Sequence, residues 1–143
     1  MFRRSASFEC AERGCHTEPM TAPLARLRTI VLDCVEPRVL AEFYQGLLGG
    51  EITVDEADWV TLVVEGGRVA FQESADFVPP TWPAGERPQQ LHLDLTFTDI
   101  DAVESQVLAL GATRHEIQPG EEAGDPFRVY LDPAGHPFCL CWD

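Results

Sequence analysis

The order strand, helix, strand, strand, strand occurs twice in this chain, and that repetition constrains the fold more than any single motif does. In the first half, "LRTIVLDC" (27–34) is apolar and β-branched enough for a buried strand. "EPRVLAEFYQGLLGG" (36–50) follows as a helix. Pro37 suits its first turn, Val39, Leu40, Phe43, Tyr44, Leu47 and Leu48 recur at helical spacing, and Gly49 and Gly50 end it. Three short strands complete the unit: "EITV" (51–54), "WVTLVVE" (59–65) and "RVAFQE" (68–73), the last two joined at Gly66–Gly67.

The second half repeats the order. "QQLHLDLTFT" (89–98) predicts a strand, and "DIDAVESQVLALG" (99–111) a helix opened by an aspartate and closed by a glycine. "ATRHEIQ" (112–118), "FRVYLD" (127–132) and "PFCLCW" (137–142) supply three more strands. Thr29 to Gly49 lines up with His92 to Gly111, which is one residue shorter. The predicted class is α+β, with module one at 26–74, a linker at 75–88 and module two at 89–143. Four prolines in "SADFVPPTWPAGERPQQ" (74–90) rule out a regular element there, and Trp82 is expected to anchor it by packing.

At 143 residues and 45% hydrophobic, the chain suits one domain with a real core, placed at 26–143. Residues 1–25 are read as a disordered tail or as sequence upstream of the true start, with Met20 the favoured initiator. The first nineteen residues lack helical or strand periodicity, and their two "RR" arginines precede no apolar stretch. No run approaches the ~18 apolar residues of a membrane span. The net charge is −14, and Arg3, Arg4 and Arg13 balance Glu9, Glu12 and Glu18 in the tail, so the excess is carried by the domain. Such a surface repels phosphate backbones, which argues against nucleic acid, and attracts cationic small molecules. Five cysteines (Cys10, Cys15, Cys34, Cys139 and Cys141) form no even framework, so a reducing, cytoplasmic setting is expected.

With "FYQGLLGG" after the first strand, "HLDLTFTDIDA" opening the second half and "DPAGHPF" before the last strand, the doubled module resembles the vicinal oxygen chelate superfamily. That group includes glyoxalase I, bleomycin-resistance proteins and extradiol dioxygenases. The wording is most similar to the bacterial glyoxalase-like domain proteins over about residues 26–142. The resemblance implies a curled mixed sheet around a central cleft, a small-molecule ligand or substrate there, and a homodimer. In the metal enzymes of this group, two histidines and two glutamates hold a divalent ion with open positions for a chelating substrate.

Carried over residue by residue, those four positions fall on Thr29, Gln72, His92 and Cys139. His92 is the plausible ligand, Gln72 and Cys139 are weaker candidates, and threonine is a poor donor, so a divalent metal is not favoured. His92 and Asp94 share one strand face at about 7 Å between Cα atoms, which suits a carboxylate orienting an imidazole as a general base. Asp33 shares parity with Thr29 and joins the expected cleft lining, unless Arg28 or Arg38 pairs with it. His136, in "AGHPF", is expected to serve the turn. Three functions follow from this reading. The first is a glyoxalase-like lyase or isomerase with an atypical or absent metal site; the main alternative is a drug-sequestering protein of the bleomycin-resistance type, and the third is a degenerate domain serving only as a scaffold or interaction partner.

Overall fold

The computed structural model describes residues 22–143, so the readings of residues 1–19, of Met20 and of Cys10 and Cys15 lie outside the described residues. Residues 22–29 are irregular and mostly exposed. The first module runs β1 (Ile30–Cys34), α1 (Pro37–Leu48), β2 (Glu51–Asp55), β3 (Trp59–Val64) and β4 (Gly67–Glu73). The second runs β5 (Leu93–Thr96), α2 (Ile100–Ala109), β6 (Thr113–Arg114), α3 (Pro119–Ala123), β7 (Phe127–Leu131) and β8 (Pro137–Cys141). Each module makes its own four-stranded mixed sheet, in the orders β1-β4-β3-β2 and β5-β8-β7-β6. The first and last strands of a module pair in parallel and its remaining neighbours are antiparallel. The sheets do not close into a barrel. Among the described residues, no helix is long and apolar enough to cross a membrane.

Local chemistry explains the elements. Pro37 stands in the first turn of α1, where its missing N–H costs nothing, and Gly49 ends the helix at φ 70°. Leu40, Ala41, Phe43 and Tyr44 form the buried stripe of α1. Asp99 caps α2, its side chain accepting from the backbone N–H groups of Asp101 and Ala102. Gly50 has φ 90°, and a Cβ there would lie 2.2 Å from the Val63 carbonyl oxygen. Gly50→Ala should therefore lower the unfolding free energy by about 1–3 kcal/mol in a urea titration.

One expected strand is shorter than its sequence suggested. The stretch 112–118 keeps only Thr113–Arg114 as β6, and the short helix α3 follows. Gln118, 7% exposed, replaces the missing ladder with its side chain. Its amide nitrogen donates to the carbonyls of His115 and Val129, and its amide oxygen accepts from the Val129 N–H. Pro119 then opens α3, where it cannot extend a strand ladder.

The modules share one core. Phe138 of β8 packs edge-on against Phe43 and Tyr44 of α1, with centroids 5.9 and 6.4 Å away, and lies 5.8 Å from Tyr130. Tyr44 also stacks on Phe71 of its own sheet at 5.6 Å. At Gly46 the helices approach closely, since a Cβ there would meet Leu110 at 2.6 Å. α1 thus lies between the two sheets, and residues such as Asp33, Gln72 and Asp94 are left on exposed faces.

Candidate functional site

Strand parity decides which side chains are free to act. On β1, Leu32 and Cys34 point into the core while Val31 and Asp33 are exposed. Asp33 is in register with Gln72 of β4, and Gln72 with Trp59 of β3, so these three share the outer face of the first sheet. Thr29 lies one residue ahead of β1 and is half-buried. Asp33 has no ion-pair partner among the described residues, because Arg38 is taken by Glu42 at 2.8 Å and by Asp55.

In the second module the paired strand starts at Leu93, later than the sequence suggested, so His92 stands just before it. Asp94 is in register with Cys139. His92 Nε2 lies 3.2 Å from Asp94 Oδ1, with the two side chains 40% and 63% exposed. Donor atoms of His92, Asp94 and Cys139 all lie within 4.8 Å of one another. Thr29 and Gln72 belong to the first module.

Where the modules meet, the linker closes a cavity of about 270 Å³. Val31 and Asp33 line it from β1, His92 from the approach to β5, Phe77 and Arg87 from the linker, and His136 from the last hairpin. Thr29, Gln72 and Cys139 are not in its wall. Of the residues singled out in the sequence, the structure thus joins Asp33 and His92 in one cavity with His136, which was read as serving the turn. Trp82 packs at the linker's far end, edge-on to His115 at 5.0 Å.

Sequence reasoning passed over a second polar group at this cavity. Asp132, 4% exposed, accepts hydrogen bonds from the Tyr44 hydroxyl at 2.9 Å and from the backbone N–H groups of Ala134 and His136. His136 Nδ1 lies 2.9 Å from Asp132 Oδ2. Burial, and next the charge of Asp132, holds the Tyr44 hydroxyl well above the usual phenol range, so it remains a donor. The signal was present in "DPAGH", where an aspartate and a histidine four residues apart bracket a turn.

Residues 29–141 match the family described as the glyoxalase-like domain. This chain belongs to that family. The glyoxalase-like fold is shared by solved structures of low identity. The fosfomycin resistance protein FosX from Listeria monocytogenes is 15% identical, with a TM-score of 0.64 over 85% of this chain and 95% of that one. FosX from Mesorhizobium loti is 12% identical, with a TM-score of 0.61 over 83% and 92%. A glyoxalase-related enzyme from Fulvimarina pelagi is 14% identical, with a TM-score of 0.59 over 84% and 89%. At these identities the likeness is one of fold. No curated protein matches this chain.

Metal enzymes of this glyoxalase-like fold call for four donors, and the residues at those positions do not fit. Thr29 and Gln72 offer neutral oxygens from the first module, whereas His92 and Cys139 belong to the second. His92, Asp94 and Cys139 do have the ligand count of an open zinc site. In the metal-free chain, burial, followed by the nearby Asp94, pushes the Cys139 thiol up to about 12, so an ion would have to displace that proton to bind there. Protein purified without a histidine tag at neutral pH should carry no stoichiometric metal by mass spectrometry. Near one ion per chain, lost in His92→Ala, would overturn that assignment.

The same thiol gives a kinetic prediction. At pH 8 its thiolate fraction is on the order of a thousandfold below that of an ordinary cysteine, so iodoacetamide labelling should slow accordingly. Asp94→Asn removes a cause that raises the pKa and should speed labelling of Cys139. Cys34, pushed up to about 11 chiefly by burial, acts in the same sense on stability. Both thiols stay protonated in the fold after the unfolded chain has begun to lose its protons. Their stabilising effect is complete below about pH 8.5 and declines as pH rises toward 11 to 12.

Proposed function

We propose that this chain binds a small organic molecule in the cavity at the module junction and acts on it as a glyoxalase-like lyase or isomerase without the four-donor metal set. The carrying observation is that His92 lines this cavity while its Nε2 sits 3.2 Å from Asp94. A carboxylate only accepts, so this contact favours the proton on Nε2 and leaves Nδ1 as an acceptor for a ligand hydroxyl or an acidic C–H. Asp33 and Arg87 supply opposite charges at the cavity wall. The lining is otherwise largely apolar, as small-ligand sites tend to be.

Volume separates this reading from the drug-sequestering one. Ligand pockets usually span about 300–1,000 Å³, so a cavity of about 270 Å³ admits a compact molecule rather than a glycopeptide. The −14 charge favours the sequestering reading, which would need a larger cleft formed between two chains. An isologous dimer is part of this proposal. It is supported by the partly exposed Val31, Val54 and Val63 on the first module (38%, 37% and 36%).

The test is a panel of small oxygen-bearing molecules, read by calorimetry and turnover on wild type and His92→Ala. Saturable binding or turnover at one site per chain, lost in a folded His92→Ala, supports the proposal. Tight binding of bleomycin at one molecule per cleft between two chains, with no response to small molecules, would replace it with the second reading.

A further inference from the structure

The Asp132–His136 pair is not absorbed by any role given so far. We infer that His136 is a second proton-accepting group of this cavity, oriented by buried Asp132, and that the occupant is a small molecule bearing a hydroxyl, phenol or enol O–H. This rests on the reading of the cavity as a ligand site. The Asp132 carboxylate can only accept, which assigns a proton to His136 Nδ1 and leaves Nε2 as an acceptor. Among the described residues no protein group hydrogen-bonds Nε2. The ring is 17% exposed, lines the cavity and lies against Phe77 at 4.9 Å between centroids.

Asp132 is a positioning residue in this scheme. Its side chain is fully buried, and its oxygens are satisfied by Tyr44, Ala134 and His136, so the imidazole edge it holds has little freedom to turn. When an occupant O–H gives its proton to Nε2, the O–H bond breaks and an N–H bond forms. The occupant keeps the electron pair as an oxyanion, and the imidazolium is paired with Asp132. The other charged or titratable groups around the cavity are Asp33, Arg87 and His92, with Tyr44 beneath. Arg87 already donates its Nε–H to the Pro79 carbonyl, which holds the guanidinium at the cavity wall. The cavity volume of about 270 Å³ suits a compact ring or short chain.

The probe is p-nitrophenol, whose colour reports loss of its phenolic proton and whose single ring suits the cavity. Calorimetry measures binding, absorbance measures the ionised fraction of the bound probe, and imidazole ¹⁵N spectra of the wild-type protein follow both ring nitrogens of His136. The expected result, read in buffer below the probe's own pKa, is a clear rise in the ionised fraction of the bound probe over buffer, with His136 Nε2 unprotonated in the free protein and protonated in the complex. In His136→Gln the rise should disappear. The ¹⁵N measurement on wild type keeps the test decisive if that variant fails to fold. Binding with no change at Nε2, or a rise lost in Arg87→Gln but kept in His136→Gln, overturns the inference and leaves the cavity reading standing. No binding of the probe at millimolar concentration overturns the inference, and the cavity reading falls with it only if the whole panel of small oxygen-bearing molecules also fails to bind.

Discussion

Phe138→Ala should lower the unfolding free energy by about 3–5 kcal/mol, among the largest effects of any single truncation in this chain. The ring is fully buried and touches both modules: Phe43 and Tyr44 on α1 and Tyr130 on β7. Removing it forfeits the transfer of a whole aromatic side chain and leaves a cavity that sheets held from two sides fill poorly. Phe138→Leu keeps most of the volume and should cost no more than about half as much. Urea denaturation of the three proteins measures both values. A loss below about 1 kcal/mol for Phe138→Ala would mean that the modules do not depend on a shared core.

Asp132→Ala should cost a similar amount, about 3–5 kcal/mol, for a different reason. The aspartate is the common acceptor for a phenol, two backbone N–H groups and an imidazole N–H, all at or near the core. Alanine strands the Tyr44 hydroxyl away from water and leaves the three part-buried donors of the turn without their acceptor. Asp132→Asn retains an amide oxygen for the turn and should lose markedly less. Equal losses for the two variants would show that the hydrogen-bond network contributes little. The same comparison separates Asp132 as a structural keystone from Asp132 as the orienter of His136, because only the second role appears in the ring's ¹⁵N spectrum.

Much of this architecture was legible in the sequence because periodicity reports burial directly. The stripe Leu40, Phe43, Tyr44 with Pro37 before it and Gly49 after it marks α1, and the apolar, β-branched run 27–34 marks β1, although the structure buries only alternate residues of it. The stretch 112–118 misled because its composition suits a strand while Gln118 satisfies the backbone by a side-chain amide, which no periodicity reports. His92 and Asp94 were legible as neighbours, since two residues apart on an extended chain is a fixed geometry. Their separation from Gln72 was not legible, because it depends on how two sheets sit against α1. The Asp132–His136–Tyr44 group was illegible for the same reason: Tyr44 lies far along the chain in the other module and reaches Asp132 only through the shared core.

The central claim is that small molecules enter the cavity between the modules and meet His92 there. Two-dimensional amide spectra of labelled protein, titrated with a panel of small oxygen-bearing molecules including p-nitrophenol, test it directly. The account predicts saturable shifts for at least one of them, concentrated at Val31, Asp33, Phe77, Arg87, His92 and His136. Shifts confined to another surface, or none across the panel, would contradict it.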